Sequence, residues 1–222
     1  GLSRRNWAAH LPPEAEGAVV ITGSHGAVYA AYMSAKYGCR AAIHHDAGIG
    51  KDEAGVSGLA YADRLGMAMA AVATASARIG DAADLQRRGT ISRANALATK
   101  CGVVPGMPVR EAAELLKQAP WPHAIPPAKG AASASVRVAE DRGRIVATGS
   151  HGALNAAAAT APFRPLLLMF NDAGFGADRG GVLALAELDK HGIAAIAVAA
   201  QSACICDGRS TLQDGIISDA NM

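Results

Sequence analysis

The sequence predicts an α/β protein: internally duplicated βαβαβα units forming a parallel, Rossmann-like sheet (one six-stranded or two three-stranded) flanked by helices. Three observations carry this expectation. Short apolar runs alternate with alanine-rich stretches of about a dozen residues, the pattern of parallel strands joined by helical crossovers. A polar, glycine-bearing turn follows each apolar run. The whole pattern then recurs 126 residues later without a gap.

The first copy opens with an apolar run at 18–21, which leads into Thr22-Gly23-Ser24-His25-Gly26. An alanine-rich helical stretch follows at 27–37, then a second strand at 41–43 that ends at Asp46-Ala47-Gly48. A second helix at 54–65 stops at Gly66, where a left-handed terminus favours glycine. A third strand at 67–73 leads into Ser76-Ala77-Arg78-Ile79 and a last helix. The second copy repeats this order: strands at 145–147, 166–170 and 193–199, and helical stretches at 153–161 and 180–191. Between positions 19–95 and 145–221, 34 of 77 residues are identical, far more than shared alanine content would give. Residues 1–120 form the first repeat and 133–222 the second, with a proline-rich linker at 121–132. Residues 109–117 are expected to add a short helix after Pro108, and the second copy has no counterpart of it before Met222.

Composition narrows the function. A net charge of +2, with basic residues scattered and no interleaved aromatics, gives no footprint for nucleic acid. No apolar stretch is long enough to span a bilayer, and residues 1–10 hold two arginines and a tryptophan but no apolar export core. The four cysteines at 39, 101, 204 and 206 lack metal-ligand spacing and read as free thiols in a reducing compartment. A cytoplasmic homo-oligomer that acts on a small anionic or amide-bearing metabolite is the expected setting.

Ligands of open parallel sheets collect at the carboxyl ends of strands, and the repeated polar motifs all fall there. The glycines of the TGSHG turn, Gly23 and Gly26 with Gly149 and Gly152, suit close backbone approach to an anion. Ser24 and Ser150 sit where a strand-to-helix elbow would project a nucleophile, although Thr22 and Thr148 replace one expected glycine. A plain helix cap explains the same serines equally well. His25 and His151, at a helix start, would be held neutral by the dipole and so suit a general base. Asp46 and Asp172 would orient that base, or simply close an Asx turn. Ser76, Arg78, Ser202 and Lys51 complete the candidate substrate-binding set. No cofactor is expected. A divalent metal on His25, His44, His45 and Asp46 is an alternative, although His44 and His45 on one strand face opposite sides.

The Ser-His-Gly turn after one strand, with Asp-Ala-Gly after the next, resembles the His–Cys peptidases of the caspase type. The likeness covers two short turns and implies a histidine base at His25 or His151. It has Gly48 or Gly174 where the cysteine nucleophile would stand, so it assigns no family. The expected function is a hydrolase of acyl or amide bonds using Ser, His and Asp groups. A non-catalytic binder of an anionic metabolite and a metal-dependent lyase or hydrolase are the alternatives.

Overall fold

The computed structural model describes residues 1–124, 135–137 (backbone alone), 145–149 and 166–221. Its strands form two separate sheets. The first contains β1 (Leu2–Arg5), β2 (Val19–His25), β3 (Ala41–His45), β4 (Ala68–Val72) and β5 (Ile91–Ala94) in that consecutive order. β1 to β4 run parallel and β5 closes the edge antiparallel. The second contains β6 (Ser135–Arg137), β7 (Ile145–Thr148), β8 (Leu167–Asn171), β9 (Ala195–Val198) and β10 (Ile217–Ala220). Here β7, β8 and β9 are parallel, with antiparallel β6 and β10 at the two edges.

Each triplet of parallel strands lies where the apolar runs predicted it. A single six-stranded sheet does not form. The outer edges of β4 and β9 are taken by β5 and β10, four-residue strands in segments where the sequence predicted no strand. Strand order within each sheet is consecutive, so the reversal that creates a ligand crevice in doubly wound sheets is absent among the described strands.

In the first sheet the pleat sorts side chains onto two faces. Val20, Ala42, Met67 and Met69 pack with α1 (Val28–Lys36) and α2 (Gly58–Leu65). Val19, Ile21, Ala41, Ile43, Ala70 and Val72 pack on the other face with α3 (Ala82–Arg88), α4 (Ala96–Lys100) and α5 (Val109–Leu116). Alanine is the helix residue at most of these contacts, including Ala30, Ala31, Ala35, Ala112 and Ala113. Short side chains there keep the layers close and cost little rotamer entropy on burial. The helix expected at 109–117 is α5, and Gly66 ends α2 in the left-handed region at φ 72°. In the second sheet, Leu168, Phe170, Ala195 and Ala197 pack with α6 (Leu183–Lys190), and α7 (Gly208–Gln213) follows β9.

The chain divides into two compact units, and two short segments cross the simple boundary. Residues 48–54 belong with the second unit and 176–178 with the first. Each of these segments leaves a turn of rare conformation. Ala47, Gly48, Ile49 and Gly50 are consecutively left-handed at φ 50°, 72°, 63° and 74°. Ala173, Gly174, Phe175 and Gly176 adopt 50°, 79°, 62° and 71°. For alanine, isoleucine and phenylalanine this conformation costs roughly 1–2 kcal/mol per residue, so surrounding bonds must hold it.

Candidate functional site

The TGSHG segment is not a turn. Thr22 to His25 continue β2, which slips register after Ile21 and pairs His25 with His45. α1 begins only at Val28, with Ala27 as its cap, so neither Ser24 nor His25 sits on a nucleophile elbow or a helix start. Gly23, Gly26 and Gly149 each let backbone segments approach closely. A Cβ on Gly23 would lie 2.5 Å from Gly80 C and 2.6 Å from Asp81 N, and Gly23 O accepts the Gly80 N–H at 2.8 Å. Gly26 donates to His45 O at 2.7 Å and accepts from Gly58 N–H at 2.9 Å. Gly149 repeats the first arrangement: its carbonyl accepts the Cys206 N–H at 2.7 Å, and Asp207 N stands where a Cβ would go. Ser150, His151 and Gly152 lie outside the described residues.

Three imidazoles gather at the ends of β2 and β3. His44 is fully buried on the α1 face, between Thr22 Oγ1 at 2.8 Å from Nδ1 and Ser34 Oγ at 3.1 Å from Nε2. Burial, then the neighbouring His25, push its pKa down to about 3. His45 faces the opposite side. Its Nε2–H donates to Ala77 O at 3.0 Å and its Nδ1 accepts the Ala47 N–H at 2.9 Å. Burial lowers its pKa against the opposing influence of Asp46. His25 Nδ1 accepts from Ala27 N–H at 3.4 Å, and burial with His45 nearby pushes its pKa down to about 4. All three rings are neutral near pH 7. The cause is burial, not the helix dipole expected from the sequence.

The role of His45 is made plain by Asn171, which occupies the matching position in the second unit. Asn171 Nδ2 donates to Ala203 O at 2.8 Å and its Oδ1 accepts the Ala173 N–H at 2.9 Å. Imidazole and carboxamide therefore make the same pair of bonds, one donated to the loop after the third parallel strand and one accepted from the left-handed turn. Each acts as a polar brace.

The other expected site residues that are described are also engaged, the serines and aspartates by backbone groups and Lys51 and Arg78 by carboxylates. Ser24 Oγ accepts the Ala8 N–H at 2.9 Å. Asp46 Oδ1 accepts from Thr74 N–H at 2.9 Å, and Asp172 Oδ1 accepts from Gly174 and Ala200 N–H at 2.8 Å each. Ser76 Oγ donates to Ala73 O at 2.7 Å and accepts from Thr90 N–H at 3.0 Å. Ser202 Oγ does the same with Ala199 O and Ile216 N–H, both at 2.8 Å. Lys51 pairs with Asp214 at 2.9 Å. Arg78 joins a network around Asp84, a carboxylate with a side chain only 1% exposed. Burial would raise the Asp84 carboxyl, but hydrogen bonds from Arg78 N–H, Arg87 and Arg88 outweigh it and hold the pKa at about 2.

Among the described residues no three His, Cys, Asp or Glu side chains form a set able to hold a metal ion. His44 and His45 point to opposite faces of β3, as strand geometry requires. No described helix is long and apolar enough to cross a membrane.

Sequence reasoning missed a cleft of about 430 Å³ in the first unit, lined by Arg4, Arg5, Asn6, Ala82 and Ala83. It lies at the carboxyl end of parallel β1, the same edge of the sheet at which β2 ends in His25. Asn6 Oδ1 accepts the Ala82 N–H at 3.1 Å and so ties the end of β1 to the start of α3. Among the described residues no carboxylate pairs with Arg4 or Arg5. The only available signal was the Arg-Arg-Asn triplet itself, which has no meaning until Ala82 is brought beside it. Comparison of the chain with family models, with curated proteins and with solved structures gives no match.

Proposed function

We propose that the protein binds a small anionic metabolite at the carboxyl edge of its first sheet, with Arg4 and Arg5 supplying the positive charge. One observation carries this reading: two guanidinium groups without carboxylate partners among the described residues border a cleft of about 430 Å³, within the range of small-ligand sites. Arginine suits planar or tetrahedral anions because its fork donates two parallel hydrogen bonds. The anion-binding alternative is thereby kept, but its donors move from the TGSHG segment to the end of β1. Calorimetric titration with inorganic phosphate, pyrophosphate and citrate tests it. Saturable binding to one of the three, lost in Arg4→Ala and Arg5→Ala, is expected. No binding of any of them, or binding unchanged in both variants, refutes it.

A second reading, a hydrolase of acyl or amide bonds, is favoured by His25. This neutral imidazole at the end of β2 is in the protonation state a general base needs. Its depressed pKa makes it a weak base, so slow turnover is expected. Loss of ester or amide cleavage in His25→Ala, with the fold intact, supports the reading, and unchanged cleavage removes it.

We also infer that the two units descend from one doubled ancestor. The support is the 34 identities in 77 positions, the matched left-handed turns, and the His45–Asn171 equivalence.

A further inference from the structure

We propose that Cys204 and Cys206 form a redox-active dithiol for small disulfide substrates, with Cys204 as the attacking thiol and Cys206 as the resolving one. The proposal concerns the second unit alone and is independent of the anion cleft in the first. It rests on what the two units place at matching positions of the loop after the third parallel strand.

That loop is anchored alike in both units. In the first, Ala77 O accepts from His45 at 3.0 Å, Arg78 N–H donates to Asp84 at 2.9 Å, and Gly80 N–H donates to Gly23 O at 2.8 Å. In the second, Ala203 O accepts from Asn171 at 2.8 Å, Cys204 N–H donates to Ser210 Oγ at 3.0 Å, and Cys206 N–H donates to Gly149 O at 2.7 Å. The side chains on this frame differ. In the first unit they form an ion network, in which Arg78 and Arg88 both reach Asp84 and Asp178. In the second, the places of Arg78, Arg88, Asp84 and Asp178 are held by Cys204, Asp214, Ser210 and Asp52. Asp214 finds its charge partner in Lys51, at 2.9 Å, where the first unit has Ala177. Charge balance is thus rebuilt without the loop arginine. Its place goes to a thiol whose Sγ is 3.7 Å from Lys51 O and 3.7 Å from Asp52 Oδ2.

The second cysteine is the sharper anomaly. Gly80 has φ 81°, in the left-handed region that glycine enters freely. Cys206 replaces it and keeps φ 71°, a conformation that L side chains rarely adopt. The backbone alone would favour glycine there. Cys204 O accepts the Asp207 N–H at 3.2 Å, which closes a turn over Ile205 and Cys206. Two residues apart on a bent chain, the Cα atoms of the cysteines lie within about 7 Å, the reach of a disulfide. Burial, with Asp207 adding, pushes the Cys206 thiol up to about 12. Burial also raises the Cys204 thiol; the Ser210 hydrogen bond opposes the rise, Asp52 adds to it and Lys51 opposes it. The shallower thiol, with an ammonium nearby, is the one placed to attack first.

The reaction balances without a cofactor. Cys204 loses its proton and its sulfur attacks one sulfur of a small disulfide; the S–S bond breaks, and the departing sulfur takes up a proton. Cys206 then loses its proton and its sulfur attacks the Cys204 sulfur, releasing the second half of the substrate as a thiol. The dithiol is oxidised by two electrons and the substrate disulfide is reduced to two thiols.

The test mixes the fully reduced chain with oxidised glutathione at pH 8, blocks thiols with iodoacetamide at intervals, and maps the cysteine peptides by mass spectrometry. An internal Cys204–Cys206 disulfide is expected, with two glutathiones released per chain. Oxidation of this pair should exceed that of Cys101, a partly buried thiol with no cysteine near it in sequence, by about tenfold or more. Cys206→Gly restores the residue that the first unit carries at this turn, so it guards against a folding defect. It should stop the reaction at a stable glutathione adduct on Cys204. Cys204→Ser should leave Cys206 reduced. A lasting glutathione adduct on Cys204 of the unmutated chain, equal oxidation of Cys206 in Cys204→Ser, a chain dimer joined through Cys204, or no reaction at the pair would each overturn the proposal.

Discussion

Replacing His44 by phenylalanine, the residue that the second unit carries as Phe170 at the matching place, separates two opposing effects of one buried ring. Near neutrality the imidazole is useful, because it bonds both Thr22 and Ser34. Its removal leaves two buried hydroxyls short of a partner, a loss of about 2 kcal/mol or more. In acid the same ring becomes a liability. Its folded pKa, about 3, lies below the ordinary imidazole value of 6.5. The unfolded chain therefore binds a proton that the folded chain refuses. The stability linked to the neutral ring is complete above pH 6.5 and is lost as pH falls toward the folded value. At pH 5 the loss is about 2 kcal/mol and at pH 4 about 3 kcal/mol, from 1.36 kcal/mol per unit. His44→Phe should thus be the less stable protein at pH 7, equal to wild type near pH 5, and the more stable one at pH 4. Urea unfolding at half-unit steps of pH measures the crossing. Both tryptophans, Trp7 and Trp121, lie in the first unit, so their fluorescence reports the unit that contains His44. Parallel curves for the two proteins from pH 7 to pH 4 would refute the assignment of His44 as a buried neutral ring.

Other substitutions test the remaining braces. His45→Asn should keep both backbone bonds, change stability at pH 7 by less than about 1 kcal/mol, and reduce acid lability; unfolding of the variant at pH 7 would contradict the brace. Asp84→Asn should cost about 2 kcal/mol at pH 7, the worth of a carboxyl held at about 2 rather than 3.8. That contribution is present above pH 4 and falls away toward pH 2, so the cost measured by urea unfolding should be smaller at the most acid pH at which both proteins stay folded. A cost that does not change with pH would show that the Arg87 and Arg88 guanidinium groups do not act through charge. Gly23→Ala should destabilise by about 1–3 kcal/mol through overpacking against Gly80 and Asp81. A neutral change in its melting temperature would mean that this approach can relax.

How much of this was legible in the residues depended on whether the cause was local. The parallel strands were visible because an apolar run, a glycine turn and an alanine-rich helix recur in order, and the register of β2, β3 and β4 follows those runs. β1 was invisible: Leu2-Ser3-Arg4-Arg5 has no alternation and becomes a strand only by pairing with Val19 to Thr22. β5 and β10 were hidden for a related reason, being four mixed residues whose serine, with the asparagine just after the strand, resembles a cap. The TGSHG segment misled because dense glycine reads as a turn, whereas Gly23 is there so that the loop at Gly80 can approach. That approach comes from 57 positions along the chain and leaves no local mark.

The differences between the halves were the underused signal. Asp46, Ser76 and Asn95 are identical at the matching positions of the second unit, and each holds backbone groups together. Asn95 Oδ1 accepts from Met69 N–H at 3.0 Å, and Asn221 Oδ1 accepts from Ala195 N–H at 2.7 Å. A position that differs, yet keeps the same bonds, separates scaffold from chemistry more sharply than an identical one. His45 opposite Asn171 is such a position, since carboxamide and neutral imidazole share one donor and one acceptor but only the imidazole accepts a proton at ordinary pH. That exchange argues for a brace at His45. His25, by contrast, is matched by another histidine at position 151, and any proton transfer by this protein should be sought there first.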